Sequence, residues 1–136
     1  MIVKTLDNKP YPWKLIGCLV VGNKVEIKKS QLHLNARELL VQNFPTLQIL
    51  EEVPIKPYND LTLYLDFYLP LIQTAIEVHG QQHYQYSSLF HTSKWDFIRQ
   101  VKNDKLKSEW CIINNIDLIT LPYNENIDEW KQRINN

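Results

Sequence analysis

Two cysteines in 136 residues, Cys18 and Cys111, are too few and too far apart for a disulfide framework or a cysteine-built zinc site. That scarcity predicts a reducing, intracellular setting. No apolar run approaches the roughly 20 residues that a membrane-spanning helix needs. The opening Met1-Ile-Val-Lys-Thr-Leu-Asp lacks the charged-then-apolar layout of a secretory leader, so a cytoplasmic location is expected. Net charge is lacking as well. The 15 Lys and Arg balance 15 Asp and Glu, so unspecific polyanion binding is not written into the composition. Repeats, low-complexity tracts and linker-like stretches are missing too, and the length suits one domain. What is there, 44% hydrophobic and 22% charged residues, is ordinary for a globular chain and excludes a disordered or fibrous one.

The charge is unevenly spread. Residues 1–29 hold six Lys against Asp7 and Glu26, residues 30–93 hold six acids against Arg37 and Lys56, and residues 94–107 are basic again. An acidic middle between basic flanks suits a site that holds a cation beside an anionic ligand. A solvated surface with chance clustering would give the same pattern.

The element order predicted is β-hairpin, helix, β-hairpin, long helix, strand, short helix. Residues 15–29 read as two short strands about a Gly22-Asn23 turn. Asn35, with Glu38 three residues on, matches a capping box, and Leu39, Leu40, Val41 and Phe44 follow in a helix stopped near Pro45. A loop punctuated by Pro54 and Pro57 leads to strands over Leu61 to Leu69 and Ile72 to His79. Residues 81–92 lack periodicity and read as a loop. A long helix from Ser93 to about Ile113, a buried strand from Ile116 to Leu121 and a short helix from Asn126 to Ile134 complete the chain.

The second hairpin carries the chemistry. A turn at Pro70 to Gln73, centred between Leu71 and Ile72, sets Asp66 directly opposite Glu77, with Cβ atoms about 4.5–5.5 Å apart. Directly opposed like charges repel, and a hard divalent cation held by carboxylate oxygens relieves this. His79 lies two residues past Glu77 on the same strand face. A solvated hairpin face would also tolerate two acids, but Glu77 sits within Thr-Ala-Ile-Glu-Val-His-Gly, whose neighbours look buried.

The segments Asp66-Phe-Tyr and Ile76-Glu-Val-His-Gly-Gln-Gln-His83-Tyr resemble the core of the PD-(D/E)xK nuclease superfamily. The likeness is greatest to the branch of very-short-patch mismatch-repair endonucleases and phage homing endonucleases described as EDxHD. Gly80, the helix carrying Asn103-Asp104-Lys105 and the strand up to Pro122 extend the resemblance over residues 35–123. It implies an α/β chain with a mixed central sheet flanked by helices, a restriction-endonuclease-like core. Residues 1–34 would then be a hairpin extension and 124–136 a terminal helix. It further implies a metal-dependent endonuclease of duplex DNA, a homing-type, site-specific enzyme, with Mg²⁺ and with Mn²⁺ as a substitute. Asp66, Glu77 and Val78 would hold the metal, and His79 falls where Lys is usual. Imidazole can lose its proton near neutrality, so His79 is a candidate general base or phosphate ligand. Asp104 matches the final acid of EDxHD.

Other positions keep two readings. Glu38 is either the capping-box acid or the helix Glu that reaches the family's metal site. His83 is a proton donor to the leaving oxygen or a plain loop residue. On the long helix, Asp96, Arg99, Gln100, Asn103 and Lys107 share a stripe, on which Arg99, with the neighbouring Lys102, can meet phosphates; Asp96 and Lys107 read as solvated. Lys24, Lys28 and Lys29 can follow a DNA backbone. One carboxylate pair cuts one strand at a time, so a double-strand cut calls for a homo-oligomer, at least a dimer. The alternatives are a mismatch-directed nicking enzyme, a zinc module built on His79, His83 and His91, and a DNA-binding scaffold without activity.

Overall fold

A computed structural model describes residues 1–22 and 29–136. The chain opens with two short strands, β1 (Ile2–Lys4) and β2 (Pro10–Pro12), paired antiparallel. Strand β3 (Leu19–Val20) and helix α1 (Gln31–Asn43) precede three strands, β4 (Leu50–Tyr58), β5 (Leu61–Leu69) and β6 (Thr74–His79). Helix α2 (Lys94–Ile113), strand β7 (Asp117–Pro122) and helix α3 (Ile127–Asn135) complete the fold. The main sheet runs β3-β4-β5-β6-β7, antiparallel except for the parallel pair β6–β7. A parallel pair needs a long crossover, and α2 supplies it. The fold is thus mixed α/β, with helices on both faces of a mixed sheet.

Each face has its own core. On one, Val53, Ile55, Leu65 and Tyr68 pack with Leu106 and Trp110 of α2 and with Val3 and Trp13 from the N-terminal hairpin. Trp13 lies 4.6 Å from Tyr68 and 5.0 Å from Trp110 between ring centroids, so the N-terminal residues are built into this core rather than appended to it. On the other face, Phe67, Leu69 and Ile76 meet Leu39 and Leu40 of α1 and Trp130 of α3.

Several boundaries differ from expectation, each for a local reason. Pro54 and Pro57 lie inside β4, not in a loop. The Pro54 carbonyl accepts the Trp13 indole N–H at 2.9 Å and the Pro57 carbonyl accepts the Leu6 N–H at 2.7 Å. The carbonyl and ring nitrogen of Pro54 therefore turn away from β5, where no ladder bond is lost. Helix α1 begins four residues before the expected cap. Ser30 accepts the His33 N–H, and Asn35 sits inside the helix, accepting from Gln31, so the Asn35–Glu38 capping box does not form. Leu19 and Val20 pair with β4; the expected turn at Gly22-Asn23 and its return strand run into residues 23–28, outside the described residues. The other helices start where expected, with Ser93 capping α2 and Asn126 with Glu129 forming a capping box on α3.

One irregularity positions the site. Along β5, Leu63 and Leu65 belong to the α2-side core, yet Phe67 and Leu69 belong to the other. The period-2 alternation therefore breaks at Asp66. The same break occurs across the ladder in β4: Glu51 faces α1, Val53 faces α2, and Glu52 between them has a left-handed backbone with φ 53°.

Candidate functional site

Strands β5 and β6 pair Phe67 with Ile76, Tyr68 with Ala75 and Leu69 with Thr74 around a 3-10 turn at Pro70–Ile72. One step further, this register puts Asp66 across from Glu77, as the hairpin geometry predicts. The backbone ladder gives way there to side chains. The Asp66 N–H donates to Glu77 Oε2 at 3.0 Å, and the Val78 N–H donates to Asp66 Oδ2 at 2.8 Å. Each carboxylate thus terminates the other's strand.

Glu77 is only 3% exposed, and Asp66 keeps a narrow opening to solvent. Burial, and next the charge of Glu77, push the Asp66 carboxyl up to about 8. Lys107 of α2 is the counter-charge, its Nζ 2.7 Å from Glu77 Oε1. This buried oxygen is thus answered by the ammonium as an ion pair. Burial alone would lower the Lys107 pKa; the carboxylates of Glu77, Asp66 and Asp104 outweigh that and raise it.

Beside the pair stand two imidazoles. The rings of His79 and His83 stack with centroids 4.2 Å apart and planes 3° from parallel. Burial, with His83 adding to it, pushes His79 down to about 4, so its ring is neutral at ordinary pH. His83 Nδ1 lies 2.8 Å from Asp104 Oδ2, and its Nε2 lies 3.3 Å from Gln100 Nε2. The Gln100 Oε1 is in turn 2.9 Å from Nε2 of the buried His91, whose Nδ1 accepts the Ser87 N–H at 3.2 Å. With the Gln100 amide donating to His83 and accepting from His91, His83 carries its proton on Nδ1 and donates it to Asp104. This chain of bonds ties the loop after β6 to α2.

Two adjoining hollows of about 560 and about 480 Å³ meet over these groups, sharing Lys29, Asp66, His83, Phe90 and Lys107 in their walls. Asp96, Arg99, Gln100 and Asn103 line the larger one, so the polar stripe read from the sequence faces the groove. The structure therefore gathers Asp66, Glu77, Val78, His79, His83 and Asp104. Lys102 is exposed and does not line the hollows. Lys29 faces the site, bonded to Glu52, while Lys24 and Lys28 lie outside the described residues. Glu38 is not brought to the carboxylates: it is exposed, beside Gln42 and Ile127 in a separate hollow. The early start of α1 turns His33 toward the sheet and leaves Glu38 outward.

Sequence reasoning missed Lys107. It read as part of a solvated stripe, yet its ammonium lies within the carboxylate pair. The available signal was the helix period itself, which places Lys107 on the same side as Asn103 and Asp104.

No protein-family model and no solved structure matches the chain. It is similar to uncharacterized viral proteins. These include protein 307L of Invertebrate iridescent virus 6, 38% identical over 65 residues, and protein 094L of Frog virus 3 (isolate Goorha), 39% identical over 70 residues. The matched segments are 48% and 51% of this chain but 33% and 45% of those proteins. The chain thus spans less than half the length of the relatives it matches.

Proposed function

We propose that this protein is a metal-dependent endonuclease that hydrolyses phosphodiester bonds in duplex DNA. On this reading it is a homing-type, site-specific enzyme with a restriction-endonuclease-like core, working as a homo-oligomer in the cytoplasm of an infected cell. One observation carries the reading: a directly opposed carboxylate pair, largely buried, at the floor of an open groove.

The donor set fits a hard cation. Burial and the Glu77 charge hold a proton on Asp66, and a bound ion would take that proton's place and relieve the repulsion between the two ionised carboxylates. The groove also calls for one. Among the described residues, and leaving out the protonated Asp66, Glu52, Glu77, Asp96 and Asp104 outnumber Lys29, Arg99 and Lys107, and such a surface turns a phosphodiester away until positive charge is added. Asp66, Glu77 and the backbone of Val78 would hold Mg²⁺, or Mn²⁺ in its place. Bound there, the ion would supply an acidified water and charge stabilisation at the phosphate.

The chain's own groups do the rest. Lys107 offsets the charge of the pair and faces the groove where a phosphate would sit. His79, neutral and weakly basic, packs against His83 rather than serving as the proton acceptor expected from its position. The His83–Asp104 pair is better suited to proton handling, because Asp104 accepts from Nδ1 and so orients the ring. Arg99, at the groove wall, meets the DNA backbone.

The zinc alternative loses support from the stack. A metal lies in the plane of each imidazole that binds it, and two nearly parallel planes cannot share one ion. The direct test is incubation of supercoiled plasmid with the protein, with Mg²⁺ or with chelator. Metal-dependent cutting that Asp66→Asn abolishes supports the reading; cutting that survives both treatments overturns it. Comparing matched with mismatched duplexes separates the homing-type enzyme from a repair nickase.

A further inference from the structure

The face switch at Asp66 and Glu52 creates a second cluster of donors, on the α1 side of the carboxylate pair. An imidazole nitrogen of His33 and one carboxylate oxygen each from Glu52 and Asp66 lie within 4.8 Å of one another. We propose that these three residues form a second divalent-cation site, selective for an ion that accepts a nitrogen donor, such as Mn²⁺, over Mg²⁺. The site does not depend on nuclease activity, although it shares Asp66 with the pair described above.

Three features converge on it. The spacing is near that of a filled site: ligand atoms about 2.1 Å from one ion stand roughly 3–4 Å apart, so small side-chain rotations close the set. The His33 ring is also held in place. It is 5% exposed, stacked on Phe67 at 4.6 Å between centroids, and bonded through Nε2 to Glu51 at 2.7 Å. Arg37 supports Glu51 in turn, donating to the same oxygen at 2.7 Å. Such outer bonds are what orient a ligating imidazole.

A positive charge already occupies the neighbourhood. The Lys29 ammonium pairs with Glu52, with both side chains largely shielded. Two ammonium groups therefore flank Asp66, Lys107 by way of Glu77 and Lys29 by way of Glu52. The second pair differs from the first in having an imidazole beside it. Carboxylates alone suit Mg²⁺, whereas one nitrogen with two oxygens suits Mn²⁺ and its transition-metal neighbours. Lys29 would then compete with the ion for Glu52, and leave as the ion binds.

The experiment counts ions on the metal-free full chain. Mn²⁺ binding is followed by the electron paramagnetic resonance of the free ion, and Mg²⁺ binding by calorimetry. Two Mn²⁺ and one Mg²⁺ per chain are expected. Glu52→Gln should lose one Mn²⁺, and Glu77→Gln should keep one whose spin-echo modulation shows a coordinated imidazole nitrogen. Lys29→Met should bind the second Mn²⁺ about threefold to fivefold more tightly, since a half-shielded ion pair no longer competes. Because His33 also holds Glu51, Glu52→Gln and Lys29→Met are the main variants, each checked by thermal melting. A single Mn²⁺ lost in Glu77→Gln and kept in Glu52→Gln overturns this site and leaves the carboxylate pair as the metal centre. A single Mn²⁺ with the opposite behaviour supports it and removes the pair's role. Absence of Mn²⁺ binding overturns both, as does a nitrogen signal missing from every sample overturn the second site.

Discussion

Replacing Lys107 with Met keeps the aliphatic stem and removes the ammonium from the carboxylate pair. The Lys107 side chain is 16% exposed and that of Glu77 3%, so water cannot take over its role. Breaking a buried ion pair from one side costs about 3–5 kcal/mol. The lower end applies here. Asp66 holds its proton up to about 8, so one charge rather than two is stranded, and Glu77 Oε2 keeps the Asp66 N–H. A loss of about 3 kcal/mol is a large part of the 5–15 kcal/mol typical of a domain, and corresponds to a fall of about 10 °C in Tm. Urea denaturation at pH 7.5 measures it, and Lys107→Arg should restore most of it. A loss below about 1 kcal/mol would refute the account of Lys107 as the neutralising charge.

Asp66→Asn and Glu77→Gln should both abolish metal-dependent cutting, but only Asp66→Asn should match or exceed the wild-type Tm, because Glu77→Gln strands the Lys107 ammonium and should melt lower; plasmid assays and melting curves report the two effects. Stability should also vary with pH in a set order. Asp66, its folded pKa raised from 3.8 to about 8, loses stability as pH climbs through that window, and His79, lowered from 6.5 to about 4, gains it from 4 to 6.5. The two offset each other below 6.5, and from there to pH 8 the wild type should lose on the order of 1–2 kcal/mol, a fall that Asp66→Asn removes. Cleavage rates should show no inflection near pH 6.5 traceable to His79, and His79→Gln should leave the shape of the pH profile unchanged. If double-strand cutting needs two copies, light scattering will find a dimer on DNA; a lone chain making both cuts in one binding event would sink the oligomer.

What could be read in advance follows from the range of the interactions. The β5–β6 register is set by a turn four residues long, and the starts of α2 and α3 by caps within three residues of Ser93 and Asn126; these are local. Strand β4 was hidden because two prolines read as a loop, and what makes them tolerable is contact with Trp13 and Leu6, some forty to fifty residues away. The start of α1 was ambiguous between two good caps, Ser30 and Asn35, and packing of His33 against Phe67 accompanies the first. In the site, the carboxylate pair was legible through the hairpin, but Lys107 meets Glu77 across thirty residues and a helix crossover. A buried lysine and a solvated one look alike until their partner is known.

The prolines of β4 bear on how copies of this chain can meet. Among the described residues, β3 pairs with only two residues on the outer margin of β4, and residues of the N-terminal segment cover part of the rest. Pro54 has no N–H to offer there, and the Pro54 and Pro57 carbonyls are already taken by Trp13 and Leu6. A second sheet docking alongside would find neither donors nor free acceptors at those positions. The margin is thus closed to strand-by-strand growth, the commonest route by which exposed sheet flanks lead to aggregates. Sheet-to-sheet pairing of two copies is thereby steered away from this side, toward the opposite edge strand, β7.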